Sequence, residues 1–533
     1  MPRPVAVRGV IEGFYGPPWS HDARLTLVEF IAERGMNAYV YAPKSDPRHR
    51  EAWRDAYDAA EADRFRELAA HCRQAGVRFG FAISPGLDID YGSPADRDAL
   101  ARKLDPLLAD GVDWTVLALD DIPNRPGLAA EQADLVGWLV DRTPGRVTLV
   151  PTEYVGTNPS AYLRALSTAL PDDVDVMWTG PTVCSPRIDA QDARAWRAAL
   201  GDRPLILWDN FPVNDAVMEA ELHLGPYRGR TPGLTDELDG VLCNPMLQPH
   251  ASRVPLATAA EFLRDPDAYD EDEAWRRAID DVGGPRADSL GVLARACADG
   301  PLLSARHLVL HELVDALEHA ARDAAWPLAM RPLRDELTAL RGAQRAYADA
   351  ADDPLAPELA PWLAQATLEA DAGLAALRLV QQVRPVASRS PSGDGRAAGP
   401  DAESAMLHAF ALLFAWTGAR RGDPVVAGPR FAIHPAVVQR PDGTPALDVH
   451  LALRDDQSAV DRLCRLALTE YHAWASDDEP ARVTVRAGME PLPVAADGSF
   501  SAPADAGVVV HAGDHATRVG AGDAPPFPDA RLR

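Results

Sequence analysis

Short apolar runs alternate with amphipathic stretches over the first 265 residues of the chain. The eight runs cover residues 5–13, 38–43, 77–86, 113–121, 147–154, 175–181, 204–210 and 240–246. Most stretches between them carry apolar residues at helical spacing, whereas the stretch after 204–210 resembles a long loop. Strands alternating with helices are typical of parallel sheets with right-handed crossovers. This α/β pattern predicts a (β/α)8 TIM barrel over residues 1–265, with a doubly wound open sheet as the competing layout.

Beyond residue 265 the pattern changes to long segments rich in Ala, Leu, Arg and Asp. Residues 289–324 and 331–353 follow a 3.6-residue period, which predicts an α-helical bundle over 266–387. Residues 388–404 are rich in Ser, Gly and Pro and are predicted to be a linker. The remainder, 405–533, combines an apolar helix, a second helix and short strand-like runs. It is predicted to be a small α/β or β-rich module, and the sequence assigns it no role.

The carboxyl ends of the predicted barrel strands carry polar and aromatic residues. Barrel enzymes place their chemistry at these ends, and carbohydrate sites combine aromatic faces with amides and carboxylates. The alternative is that these residues only begin loops, where polar residues are common. The relevant segments are Glu12-Gly13, Pro43-Lys44, Asp120-Asp121, Glu153-Tyr154, Trp208-Asp209-Asn210 and Asn244.

Composition and charge limit the classes of binding partner and cofactor that the chain is expected to have. A formal net charge of −26 argues against a nucleic-acid or anionic-membrane partner. The five cysteines are scattered, with neither a disulfide framework nor ligand spacing for a metal, and no organic cofactor is implied. Pro and Gly interrupt the opening segment, so we expect no signal peptide. The longest apolar stretch is too short to cross a bilayer, so we expect no transmembrane segment and a cytoplasmic location.

Lysine is rare in this chain. Of the 53 basic residues only Lys44 and Lys103 are lysine. Lys103 lies in a helical pattern and is interpreted as part of a solvated face. Lys44 follows an apolar strand, where a compact ammonium could enter a sugar-sized pocket that a guanidinium would crowd. Chance retention of a lysine is the alternative.

The adjacent acids Asp120 and Asp121 are the strongest candidates for catalysis. Like charges side by side raise the pKa of one carboxyl, as a general acid requires, although an Asp pair that caps a turn is the alternative. Ordinary glycosidases place two carboxylates across the scissile bond, and neighbours on one chain cannot easily occupy both faces of a sugar. A 2-acetamido group on the substrate could instead supply the nucleophile. A conventional pair remains open, through the other carboxylates at the strand ends and in the loop that follows: Glu12, Glu153, Asp209 and Asp215.

Nine segments follow one another along the first half of the chain: VIEGFYGPPWS, YAPKSDPRHRxxWR, FAISPGLDIDY, LALDDI, PTEYVG, WTGP, LWDNFPVND, LGPYRGR and GVLCNPM. In this order they closely resemble glycoside hydrolase family 84, which contains the β-N-acetylglucosaminidases called O-GlcNAcases and some members called hyaluronidases. The likeness covers residues 8 to about 275, continues more loosely through the predicted bundle, and does not extend to the C-terminal module.

The resemblance implies a role for individual residues. Asp121 resembles the general acid and base, and Asp120 the residue that orients the acetamide. Tyr154 resembles the tyrosine that supports the acetamide oxygen, and Trp208 the aromatic wall beside it. Gly13 is expected to offer its carbonyl, Asp209 to line the pocket, and four further residues to grip the sugar hydroxyls: Lys44, Asn210, Asp215 and Asn244.

The resemblance thus implies a retaining exo-β-N-acetylglucosaminidase that acts through an oxazoline on a GlcNAc-bearing glycoside, glycopeptide or glycoprotein. The alternatives are an endo-acting hyaluronidase and a catalytically disabled GlcNAc-binding protein. The helical domain is a candidate for shaping an aglycone groove or for a homodimer contact.

Overall fold

The computed structural model describes most of the first 387 residues and shorter segments beyond them. The described ranges are 5–158, 160–298, 309–320, 325–350, 352–387, 424–428, 437–439, 445–447, 458–475, 481–487, 490–492, 508–512 and 515–519. The predicted linker at 388–404 and the predicted apolar helix at 405–418 lie outside them. Within these ranges, no helix combines the length and the apolar character that crossing a membrane requires.

The first eight strands form a closed, parallel barrel in chain order. Closure is made by β1 and β8, with Val7 opposite Gly240 and Val10 opposite Cys243. This confirms the barrel and excludes the open sheet. The strands are β1 (Val7–Glu12), β2 (Ala38–Tyr41), β3 (Arg78–Ile83), β4 (Trp114–Ala118), β5 (Arg146–Val150), β6 (Asp175–Trp178), β7 (Leu205–Asp209) and β8 (Gly240–Cys243).

Helices connect these strands, and local sequence signals fix their ends. The second helix begins with a capping box of Asp58 and Glu61 and ends at Gly76, whose φ of 73° suits glycine. Two 3-10 helices, Ala216–Met218 and Pro232–Glu237, interrupt the long loop predicted between β7 and β8. The α-helices are α1 (His21–Glu33), α2 (Ala59–Ala75), α3 (Pro94–Ala109), α4 (Leu128–Arg142), α5 (Ala161–Ala169), α6 (Ala190–Ala199), α7 (Arg253–Arg264) and α8 (Glu271–Gly283).

The inside of the barrel is packed with side chains from alternate strand positions. Ile11 of β1 and Ile206 and Trp208 of β7 belong to this buried cluster. Because side chains alternate across a strand, Glu12 and Asp209 face the outside of the barrel, towards the helices. The direction of these two carboxylates matters for the site.

The chain divides into two compact units, the first being residues 5–219 with 223–284. Helix α8 therefore groups with the barrel, although it lies beyond the predicted boundary at 265/266. The second unit contains residues 220–222, 285–298 and the described residues from 309 onward. Its helices are α9 (Ala287–Ala296), α10 (Val309–Ala320), α11 (Trp326–Ala348), α12 (Leu355–Ala387) and α13 (Ala459–Ala475).

The second unit also contains an antiparallel sheet ordered β14-β13-β11-β10-β9, with β12 paired to β11. The sheet and α13 agree with the predicted mixture of strands and a helix in this part of the chain. Its strands are β9 (Val437–Gln439), β10 (Pro445–Leu447), β11 (Ala481–Ala487), β12 (Glu490–Leu492), β13 (Val508–Ala512) and β14 (His515–Val519).

Lys103 is buried, so the interpretation of this residue as part of a solvated face is wrong. The residue is 4% exposed. Its ammonium donates to the carbonyl oxygen of Arg48 at 2.9 Å and to that of Asp55, and lies 4.4 Å from the centre of the Tyr57 ring. Burial lowers the pKa of Lys103 to about 8. Lys103 therefore ties α3 to the segment that follows Lys44.

Replacing Lys103 with methionine is expected to destabilise the barrel. The substitution keeps a long apolar chain but leaves two carbonyl groups without their donor, which typically costs about 1–3 kcal/mol. Urea unfolding followed by circular dichroism measures the change. Arg102→Met is the matched control, because Arg102 is exposed on the same helix. Equal unfolding midpoints for the two variants would contradict this account of Lys103.

Candidate active site

The backbone turns sharply between the two adjacent acids. Asp121 has a φ of 57°, in the left-handed region that aspartate tolerates better than most residues. As a result the two carboxylates have different partners. Asp120 is buried and interacts with Lys44, whereas Asp121 is exposed and interacts with two tyrosines. The pair does not share one set of contacts.

Asp120 forms a buried ion pair with Lys44. The ammonium nitrogen of Lys44 lies 2.5 Å from Oδ2 of Asp120, and the two side chains are 2% and 8% exposed. The other oxygen, Oδ1, is buried and has no hydrogen-bond partner among the residues that the structure describes. A buried acceptor without a donor costs free energy, so Oδ1 is suited to an N–H or O–H group of a ligand.

Asp121 accepts one hydrogen bond at each carboxylate oxygen. The hydroxyl of Tyr15 donates to Oδ2 at 2.7 Å, and the hydroxyl of Tyr154 donates to Oδ1 at 2.7 Å. Desolvation opposes ionisation of this carboxyl, but the Lys44 charge and the two hydroxyl donors outweigh it. The pKa of Asp121 therefore lies below its ordinary value. The expectation that adjacency raises the pKa of one carboxyl therefore does not hold for Asp121.

Lys44 also connects the acids to the aromatic wall. Its ammonium lies 5.6 Å from the centre of the Trp208 ring. The Trp208 ring packs directly on Gly13, where an added Cβ would lie 2.2 Å from Cζ2 of the indole. Glycine is therefore required at position 13 by close packing against Trp208.

Two amides continue this network. Oδ1 of Asn210 accepts from the indole nitrogen of Trp208 at 3.0 Å and from Nδ2 of Asn244 at 2.9 Å. Oδ1 of Asn244 accepts from the backbone nitrogen of Gly13 at 3.1 Å. Nδ2 of Asn210 donates to the carbonyl of Val183 at 2.7 Å. Since each amide nitrogen carries two hydrogens, one N–H of each asparagine is left for a ligand.

Asp215 reaches the same site through Tyr15. Its Oδ2 accepts from the backbone nitrogen of Tyr15 at 2.7 Å. Desolvation and the nearby charge of Asp121 raise the pKa of Asp215, although the Tyr15 hydrogen bond opposes the shift. The contacts thus bring together nine of the ten candidate residues: Gly13, Lys44, Asp120, Asp121, Tyr154, Trp208, Asn210, Asp215 and Asn244.

Asp209 is placed elsewhere, which corrects the expectation that it lines the pocket. Its carboxylate is 1% exposed and pairs with both Nε, at 2.9 Å, and Nη2 of Arg230. It also accepts from the hydroxyl of Tyr227 at 2.7 Å. The physical reason is strand alternation: Trp208 points into the barrel, so Asp209 points out of it.

Glu12 is excluded from a conventional catalytic pair by the same geometry. Its two oxygens each lie 2.8 Å from the Arg24 guanidinium, and they also accept from the hydroxyl of Tyr39 and the backbone nitrogen of Trp19. Like Asp209, it is a buried carboxylate neutralised by arginine on the outer face. Two of the four alternative carboxylates are thus engaged away from the site.

Arg50 belongs to the site and was missed in the sequence. It is 6% exposed, and its guanidinium carbon lies 5.8 Å from the centre of the Tyr15 ring. Its charge helps to lower the pKa of Asp121. The sequence feature that could have indicated Arg50 is its position six residues after Lys44, in a segment that resembles the family. In a chain where arginine is the usual cation, that signal did not stand out.

A barrel with diverging acids, an indole wall and interlocked amides at its strand ends has the architecture of barrel glycoside hydrolases. The family model for β-N-acetylglucosaminidase matches residues 8–294. The chain belongs to this family, which confirms the resemblance to glycoside hydrolase family 84.

Individual relatives agree. The chain is 34% identical over 273 residues to proteins named O-GlcNAcase from Rattus norvegicus and Mus musculus, a match that covers 48% of this chain and 30% of theirs. It is also similar to a mutant Thermobaculum terrenum O-GlcNAc hydrolase, with a TM-score of 0.67, 30% identity and coverage of 77% of this chain and 95% of that one. The chain is similar to the structure of CpGH84B as well, with a TM-score of 0.70 and 28% identity; the match covers 79% of this chain and 74% of that one.

Proposed function

We propose that this chain is a retaining exo-β-N-acetylglucosaminidase in which the acetamide of the substrate acts as the nucleophile. Its substrates are terminal β-linked GlcNAc residues on a glycoside, glycopeptide or glycoprotein. The observation that carries the proposal is the divergence of the two acids. Asp120 offers an unpartnered, buried Oδ1, whereas Asp121 is held separately beside Tyr15 and Tyr154.

The first step uses both acids in different ways. Oδ1 of Asp120 accepts the acetamide N–H, which orients the group and increases electron density on its carbonyl oxygen. That oxygen attacks the anomeric carbon as the bond to the aglycone breaks, and protonated Asp121 gives its proton to the departing oxygen. The product of this step is an oxazoline in its protonated form, an oxazolinium ion: the acetamide carbonyl oxygen is bonded to the anomeric carbon, and the nitrogen keeps its proton, hydrogen-bonded to Asp120.

The second step reverses these roles. Asp121, now a carboxylate, removes a proton from water, and the water oxygen attacks the anomeric carbon. The bond from that carbon to the acetamide oxygen breaks, which restores the acetamide. Two displacements at one carbon return the original configuration, so the mechanism retains the β anomer.

The remaining site residues support this sequence of events. Lys44 forms an ion pair with the Asp120 carboxylate and lies beside the buried indole of Trp208. The free N–H groups of Asn210 and Asn244 are available to sugar hydroxyls. The arginine pairs of Glu12 and Asp209 support the substrate as nucleophile, because those carboxylates are already neutralised on the outer face.

The activity is tested with the full chain and an aryl N-acetyl-β-glucosaminide. Proton NMR at early times identifies the first anomer formed, and we expect the β anomer. The matched aryl β-glucoside, which lacks the acetamide, is expected to be cleaved at a negligible rate. Formation of the α anomer, equal cleavage of the two glycosides or a lack of turnover would each refute the proposed function.

A further inference from the structure

Tyr15 and Tyr154 hold the same carboxylate but are themselves held differently. Tyr154 packs against the buried side chains inside the barrel. The Tyr15 side chain is 39% exposed. The backbone beside it is fixed, because its nitrogen donates to Asp215 and the next residue, Gly16, donates to Oγ of Ser45 at 2.9 Å. The Tyr15 side chain can therefore rotate away from Asp121 while its backbone stays in place.

The general acid must change its hydrogen bonds before it reacts. Both oxygens of Asp121 accept from hydroxyl donors, an arrangement that stabilises a carboxylate. A protonated carboxyl must direct one oxygen as a donor to the departing oxygen of the substrate. Protonation weakens that oxygen as an acceptor, so we expect one tyrosine hydroxyl to give up its position, and the exposed Tyr15 is the one free to do so.

Arg50 places a positive charge beside Tyr15 and near Asp121. It is buried beside the Tyr15 ring, and within the described part of the chain its Nη1 atom has no hydrogen-bond partner. Its charge favours the carboxylate form of Asp121 whether or not Tyr15 is in contact. The ionisable and charged groups that act on Asp121 from the surrounding segments are Tyr15, Lys44, Arg50, Asp120, Tyr154 and Asp215.

We propose that Tyr15, seated over Arg50, is a positioning residue that donates a releasable hydrogen bond to Asp121 and so controls when this carboxyl takes up its proton. The inference rests on the proposed function, since Asp121 is the general acid there. With Tyr15 in contact, Asp121 is kept as a carboxylate. When the leaving oxygen replaces the Tyr15 hydroxyl, the carboxylate loses a donor and becomes easier to protonate.

The test is the pH dependence of kcat/KM for a substrate with a poor leaving group. Because Asp121 must be protonated in the first step, kcat/KM falls as the pH rises through the pKa of Asp121 in the free enzyme. Removal of a donor destabilises the carboxylate and raises that pKa. Tyr15→Phe is therefore expected to move the alkaline limb upward by about one pH unit. Arg50→Gln is expected to move it in the same direction.

Arg50→Lys is the matched control, because it keeps the positive charge and should leave the limb close to that of the parent protein. Asp121→Asn identifies the limb, which should disappear in that variant. If the parent protein is active and Asp121→Asn removes the limb, but neither Tyr15→Phe nor Arg50→Gln moves it, the role of Tyr15 is refuted while the proposed function stands. A parent protein without activity refutes both. If Tyr15→Phe lowers the plateau of kcat/KM but leaves the alkaline limb at the same pH, Tyr15 has only a structural role.

Discussion

Asp121→Asn is expected to lower kcat/KM roughly 10²–10⁴-fold for a glycoside with a poor leaving group. An amide cannot give a proton to the departing oxygen. A dinitrophenyl glycoside should lose little kcat/KM, because its leaving group needs no proton and this parameter reports the first irreversible step. The two substrates, compared in one steady-state assay, measure the difference.

The second step gives an independent check of Asp121. Without a base, water attacks the oxazoline slowly, so kcat for the dinitrophenyl glycoside should fall. Azide needs no deprotonation and is expected to restore turnover. Asp134→Asn serves as a control, because this exposed acid on α4 pairs with Arg97 outside the site. An equal loss for both leaving groups would contradict the assignment of Asp121 as the acid.

Asp120→Asn is expected to lower kcat roughly 10²–10³-fold whatever the leaving group. The neutral amide cannot stabilise the positive charge that develops on the acetamide as it attacks. It also leaves the Lys44 ammonium buried without a countercharge. Since attack precedes or accompanies departure of every aglycone, good and poor leaving groups should suffer alike. Initial rates across a series of aryl glycosides measure this effect.

Loss of folding must be separated from loss of chemistry in this variant. Asp175→Asn is the matched control, because Asp175 is a buried carboxylate paired with Arg146 at the other end of the barrel. It should lower the unfolding midpoint and leave the rate per folded molecule unchanged. A strong dependence of the Asp120→Asn defect on the leaving group would contradict its role in orienting the acetamide.

The barrel could be predicted because its signals are local. Seven of the eight apolar runs contain a whole strand, and the run at 147–154 contains all of β5 except Arg146. Helices α1 and α2 lie in the amphipathic stretches between the first three runs. The weak connection after β7 was also visible, since its sequence lacks helical spacing. The structure there has only two 3-10 helices.

The error at Asp209 was avoidable from the sequence. Strand alternation places neighbours on opposite faces, so the interpretation of Trp208 as the pocket wall already implied an outward Asp209. The same reasoning applies to Glu12, which follows the inward Ile11. The resemblance to the family covers the whole segment around Trp208 and Asp209. Only the direction of each side chain shows which of its residues face the site.

The other differences depend on contacts between distant parts of the chain. Lys103 is buried because the carbonyls of Arg48 and Asp55 approach it. The helical pattern around Lys103 cannot predict contacts with residues so far away in the sequence. Tyr15 and Asp121 are 106 residues apart in sequence. The lowered pKa of Asp121 follows from the charge of Lys44 and from two hydroxyl donors, which the adjacency of two acids could not reveal.

Participation of the acetamide is tested most directly by weakening it as a nucleophile. Aryl glycosides that carry acetyl, difluoroacetyl and trifluoroacetyl groups on the 2-nitrogen differ little in size but greatly in the electron density of the carbonyl oxygen. We expect kcat/KM to fall steeply with each step of fluorination, in parallel for the parent protein and for Asp121→Asn. Rates that stay level across the three substrates would contradict attack by the acetamide.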